Sequence, residues 1–140
     1  MARSSKPIEK KTIEENIEYA LALYQSGLCN CSQAVAKALA QETELPQKTF
    51  VKLSAGYAFG LGTGYNTCGA LTSAVMAKSM QLNGLNALKH AQKMSVMFKE
   101  KCGSNICGDI KGMKTSKPLC SCEDCIRTAL ELFYEVKVEL

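Results

Sequence analysis

Apolar residues recur three and four positions apart along almost the whole of this chain, and that period limits what it can fold into. Ile13, Ile17, Ala20, Leu21 and Tyr24 share one face of a first helix. Thr12 and Glu15 stand at capping-box spacing before it, and Gly27 ends the run. A second helix is expected from about Ser32 to Glu42, with Ala34, Val35, Ala38 and Leu39 on its apolar side. Pro46 suits the first position of a third helix, which should carry Phe50, Leu53 and Tyr57 inward. After four glycines between positions 56 and 64, Thr67 is expected to cap a fourth helix, Cys68 to about Leu82, closed by Asn83-Gly84. Asn86 opens a fifth, with Leu88, Ala91, Met94, Ser95 and Phe98 at helical spacing before Gly103. A short turn of helix around 105–110 and a polar loop over 111–118 lead to a last helix from about Glu123. Its apolar face carries Ile126, Ala129, Leu130, Phe133 and Val136.

No segment alternates as a strand would. The expectation is all-α: one compact bundle of about five to six helices spanning 1–140 as a single cysteine-rich domain, with 1–10 a flexible basic tail. A chain of 140 residues can build its own core, and 46% hydrophobic against 21% charged residues excludes a disordered polymer. The net charge of +4 comes partly from Arg3, Lys6, Lys10 and Lys11, and no basic stripe or recognition module points to nucleic acid. No apolar run approaches the ~18 residues of a membrane span, and no apolar stretch follows the N-terminal charges as in a secretory signal. The chain therefore reads as cytoplasmic, with no membrane partner.

Eight cysteines accompany a single histidine and no tryptophan. A reducing compartment argues against structural disulfides and for metal, iron–sulfur or redox-active thiols. All eight fall at expected helix ends or junctions. Cys29 and Cys31 lie between the first two helices, Cys68 opens the fourth, and Cys102 and Cys107 bracket the end of the fifth. Cys120, Cys122 and Cys125 lead into the last. Helix N-termini favour thiolates, and three of these positions are N-termini. The spacings C-x-C, C-x4-C and C-x-C-x2-C match neither ferredoxin runs nor paired zinc knuckles, and no C-x2-C-H attaches haem. In the fourth helix Gly69, Ser73 and Ala77 form a small-residue stripe, beside Ala70 and Ala74, that lets a neighbouring helix approach closely.

Four stretches together resemble the redox-active C–GCAxxG–C–C family, whose domain also occurs in split-Soret cytochromes. They are C-N-C-S-Q-A-V from Cys29, A-G-Y-A-F-G-L-G-T-G-Y-N-T-C-G-A-L-T-S-A from Ala55, G-S-N-I-C from Gly103 and C-I-R-T-A from Cys125. The similarity runs from about Gly27 to Phe133. It implies that the family's four cysteines fall on Cys31, Cys68, Cys107 and Cys125, with a redox role and a cluster bound by these thiolates. This chain reads Cys68-Gly69-Ala70 in place of Gly-Cys-Ala, and Ser73 replaces the final glycine. Cys29, Cys102, Cys120 and Cys122 are extra to the quartet and stand as auxiliary candidates.

Other candidates take plainer readings. Gly60, Gly62 and Gly64 lack the strand and the Lys-Ser/Thr of a phosphate loop, and instead suit a tight backbone whose N–H groups reach a thiolate. His90, between Lys89 and Lys93, reads as a surface or boundary residue. Met76, Met80, Met94 and Met97 read as core, and Glu14, Glu15 and Glu18 as a solvated face. The resulting expectation is an iron–sulfur protein, [2Fe–2S] before [4Fe–4S], held by Cys31, Cys68, Cys107 and Cys125. It would act in electron transfer or redox sensing with a partner protein rather than as a substrate-converting enzyme. A metal-free thiol–disulfide oxidoreductase using Cys29/Cys31 or Cys120/Cys122/Cys125 and a structural zinc module are the alternatives, and a homodimer is left open.

Overall fold

The structure, a computed structural model, describes residues 10–138. The expected tail at 1–10 therefore lies outside the described residues except for Lys10. Seven α-helices follow one another: α1 (Ile13–Gln25), α2 (Cys31–Leu39), α3 (Gln47–Ser54), α4 (Gly69–Gln81), α5 (Ala87–Cys102), α6 (Cys107–Lys111) and α7 (Cys122–Glu135). The described chain is all-α, and its only β feature is one isolated bridge, Thr67 with Ile106. No helix among the described residues is long and apolar enough to cross a membrane.

Side-chain caps set where the first two helices begin. Thr12 and Glu15 form the expected capping box on α1. Asn30 and Gln33 form a second, which starts α2 at Cys31 and fixes that thiol in the first turn. Beyond Leu39 the backbone tightens into a 3-10 turn, Ala40–Glu42, so the α-helix stops earlier than the apolar period suggests.

Helices α2, α4 and α7 pack through the middle of the molecule, and Phe50, Phe98, Phe133 and Leu130 are fully enclosed around them. The small-residue stripe of α4 lies where it brings α2 close. A Cβ on Gly69 would meet the Tyr57 carbonyl oxygen at 2.7 Å, the Ala58 Cα at 2.9 Å and the Ser32 Cβ at 3.0 Å. One turn further on, the Ser73 hydroxyl donates to the Ser32 carbonyl at 2.8 Å. The Ser32 hydroxyl in turn donates to the Ser54 carbonyl at 2.7 Å, tying the end of α3 to the start of α2.

Several positions depart from the periodic reading. Leu53 is 57% exposed, because it edges an apolar cavity of about 620 Å³ between α3, α4 and α5 rather than filling it. Tyr57 is exposed too: α3 ends at Ser54, and the 3-10 turn over 55–57 swings the ring outward. Leu88 is exposed in the first turn of α5. Met94 is core, whereas Met80 sits at the open edge of the same cavity. His90 is buried, not at the surface, with Nδ1 2.8 Å from the Asn86 carbonyl. Glu14 and Glu18 are solvated but meet Arg127 of α7 at 3.4 and 3.1 Å.

A Gly69→Ala substitution forces α4 off the backbone at 57–58. It should destabilise the protein by about 1–3 kcal/mol, the usual cost of overpacking, read as a lower urea midpoint with an unchanged slope.

Candidate thiolate site

Helix starts gather sulfurs that are far apart in sequence. Cys31 is the first residue of α2, Cys68 occupies the N-cap position of α4, Cys107 is the first residue of α6 and Cys122 the first of α7. With Cys125, one turn into α7, these residues line a single cavity together with Ile110 and Lys111. Only about 20 Å³ remains between them, so the thiols themselves fill most of the space they enclose.

Local backbone explains why Cys68 and Cys107 meet. The segments 66–68 and 105–107 exchange hydrogen bonds, Cys68 N–H to the Asn105 carbonyl at 2.8 Å and Cys107 N–H to the Asn66 carbonyl at 3.0 Å. Thr67 therefore belongs to this bridge and does not cap α4; its neighbour Cys68 holds the cap position. The glycine-rich segment folds against the same place. Gly60 has φ +53°, and a Cβ there would strike the Asn66 carbonyl oxygen at 2.6 Å and the Cys107 Cβ at 3.1 Å. Its amides do reach sulfur, but through Phe59, whose N–H serves Cys31. Cys68 draws instead on the N–H groups of Leu71 and Ala70 in its own helix.

The electrostatics sort these thiols. A hydrogen bond from Cys125, then the Leu71 and Ala70 amides, outweigh burial and bring the Cys68 pKa down to about 7. Burial, and after it the charge of Cys68, push Cys107 up to about 11. Burial also raises Cys31. Burial opposes the charge on Lys111, yet the facing sulfurs of Cys122, Cys107 and Cys31 raise its pKa, so it remains an ammonium at the cavity wall. Lys111 and the Tyr24 hydroxyl both hydrogen-bond the Cys122 sulfur, and that contact holds the Tyr24 phenol above its ordinary range.

A second group adjoins the first. The sulfurs of Cys102, Cys120 and Cys125 all lie within 4.8 Å of one another, a cluster able to hold a metal ion. Among the described residues, no three sulfurs of the cavity come that close together without them. Cys102 is the last residue of α5, and Cys120 reaches it because Leu119 packs onto Gly103 just beyond that helix end. Hydrogen bonds from Cys125, Cys120 and Thr128 overcome burial and bring Cys102 down to about 6. Cys120, by burial and by donating to Cys102, rises to about 11. Cys125 is raised strongly because its proton serves both Cys102 and Cys68.

The cysteine pattern, the glycine turn and the helix starts can be compared with known proteins. A family model described as "Putative redox-active protein (C_GCAxxG_C_C)" matches residues 29–136. The chain belongs to that family. Neither a curated protein nor a solved structure matches it.

Of the sequence-derived residues, Cys31, Cys68, Cys107 and Cys125 all reach this C_GCAxxG_C_C cavity, and so does Cys122, which the sequence ranked as an auxiliary. Cys102 and Cys120 join Cys125 in the adjoining trio, and Cys29 is in neither group. Lys111 and Tyr24 are not among the site residues expected from the sequence, where Tyr24 reads only as part of the apolar face of the first helix. A basic residue four positions after Cys107 was the one available signal, since it returns to the same helix face.

In reduced, metal-free protein, thiolate absorbance should show two groups, Cys68 and Cys102, ionising between about pH 5 and 8, ahead of Cys107 and Cys120. Cys125→Ala removes the donor they share and should move both upward. Cys68 and Cys102, depressed to about 7 and about 6, stabilise the reduced fold above their unfolded value near 8.5. That contribution is lost as pH falls through those two values, and urea midpoints between pH 5 and 9 measure it.

Proposed function

We propose that this protein carries an iron–sulfur cluster in the thiolate cavity and works as an electron carrier or redox sensor. Cys31, Cys68 and Cys107 would hold it, with a fourth thiolate from the first turn of α7, where Cys125 is the residue the family pattern marks. The observation that carries the reading is the donor set: soft sulfur ligands delivered by separate helix starts onto one cavity. Two sulfurs on a single zinc lie at most about 4.6 Å apart, twice a 2.3 Å bond. The cavity's sulfurs are more widely spread than the trio's, which suits a centre of several irons better than one ion. A bound cluster supplies one reversible electron at a potential set by its surroundings.

The chain's own residues would do the tuning. The Phe59 amide donates to Cys31, and the Ala70 and Leu71 amides donate to Cys68, each stabilising negative charge on sulfur. Lys111 adds a full positive charge at the wall. Half-exposed Phe59 lies beneath the Lys111 ammonium, 5.2 Å from the ring centre, and exposed Met113 lies close to both Gly64 and Gly108. This apolar rim suits the docking of a partner protein. Eight free thiols suit a reducing, cytoplasmic setting. A [2Fe–2S] centre is favoured over [4Fe–4S] on the dispersed origin of the ligands.

Anaerobic purification should give a brown protein with iron and sulfide near two of each per chain. A folded, colourless chain that takes up neither on anaerobic reconstitution overturns the reading. Lys111→Met removes the cation from the wall and should lower the midpoint potential, measured by redox titration of the visible spectrum.

A further inference from the structure

Seven cysteines cluster here, more than one four-ligand centre uses, and they separate by position. Cys31, Cys68, Cys107 and Cys122 each stand at the very start of a helix, and all four line the cavity. Cys125 also reaches that cavity, but its sulfur lies within 4.8 Å of Cys102 and Cys120, neither of which lines it. The neighbours differ accordingly. Cys122 lines the cavity beside Cys31, Cys107 and Lys111, and its sulfur interacts with the Lys111 ammonium and the Tyr24 hydroxyl. The Cys125 sulfur lies within 4.8 Å of those of Cys102 and Cys120 and also interacts with Cys68.

Resting on the iron–sulfur reading above, we propose that Cys122, not Cys125, is the fourth thiolate of the cavity, and that Cys125 joins Cys102 and Cys120 in a separate site for one soft divalent ion of the zinc class. The trio's sulfurs all lie within 4.8 Å of one another, against a ceiling of about 4.6 Å for sulfurs on one zinc, so at most small side-chain rotations bring all three into bonding range. Three thiolates leave a fourth position for solvent. Cys102 and Cys125 are buried and Cys120 is half-buried, which leaves Cys120 as the side from which an ion arrives. Binding discharges the thiol protons to solvent and gives the buried sulfur charge a cation. Assigning Cys125 to the trio also removes a conflict, since one sulfur no longer has to serve two centres.

Wild type, Cys122→Ala, Cys125→Ala and Cys102→Ser are reconstituted anaerobically with iron and sulfide, then titrated with zinc and with cadmium. Iron and sulfide per chain, the visible spectrum and the cadmium–thiolate absorbance are the readouts. Cys125→Ala should hold as much iron and sulfide as wild type, and Cys122→Ala should lose most of it. Zinc affinity should fall at least ~100-fold in Cys125→Ala and Cys102→Ser, beyond what outer-shell changes cost. Retained zinc binding in Cys122→Ala also reports that this variant is folded. Iron lost from Cys125→Ala, whether or not Cys122→Ala keeps it, overturns the division, as does zinc binding that ignores Cys102 and Cys125. Wild type that takes up no iron or sulfide defeats the iron–sulfur reading instead, and the division then stands or falls on the zinc titration.

Discussion

The close approach of α4 to α2 is the constraint on which the thiolate cavity depends. It exists because Gly69 has no Cβ to strike the backbone at 57–58 and because the Ser73 hydroxyl is satisfied by the Ser32 carbonyl across the contact. A buried hydroxyl with no partner would cost more than the packing returns, so the bond and the short side chain act together. The contact orders what surrounds it. Ser32 is held from both sides, by Ser73 and by Ser54, and Cys31 is its neighbour. Cys68 immediately precedes Gly69. Two sulfurs from distant parts of the chain are thus fixed by one small interface.

Once the helices are so placed, the chemistry follows from which of their ends face one another. Thiols at helix starts meet N–H groups that have no partner within the helix, and these stabilise sulfur as an anion. Cys68 takes two such donors beside the larger contribution of the Cys125 thiol, and is brought down to about 7. Cys102 closes α5 at its C-terminal end, where the dipole opposes a thiolate. Its low pKa comes from side chains instead: Cys125, Cys120 and the Thr128 hydroxyl. Both neighbouring thiolates therefore lean first on the Cys125 thiol, to which Cys68 adds backbone amides and Cys102 adds further side-chain donors.

The elements with local signals were legible in the sequence. Thr12 with Glu15, the glycine break, and the apolar faces of α1 and α7 are encoded within a few residues of where they act. Leu53, Tyr57 and Leu88 obey the helical period and still face outward, because whether an apolar position is covered depends on what packs opposite it. His90 fails in the other direction: its lysine neighbours suggest solvent, while the ring turns onto its own helix start at Asn86. The cavity's membership was partly legible through the resemblance. Cys122 and Lys111 were not, since their place depends on how α6 meets α7. The trio of Cys102, Cys120 and Cys125 is a tertiary product of Leu119 lying on Gly103, which no spacing rule anticipates.

The reciprocal bonds between 66–68 and 105–107 carry a consequence for speed as well as for shape. Cys68 and Cys107 belong to segments that hold each other by main-chain hydrogen bonds, so their sulfurs move as parts of one body. A centre anchored in this way changes its geometry little when its charge changes. In the electron carrier proposed above, small nuclear rearrangement at the donor atoms is what would allow transfer to be fast over a modest driving force. One isolated β-bridge among the described residues would then govern the kinetics of that proposed transfer.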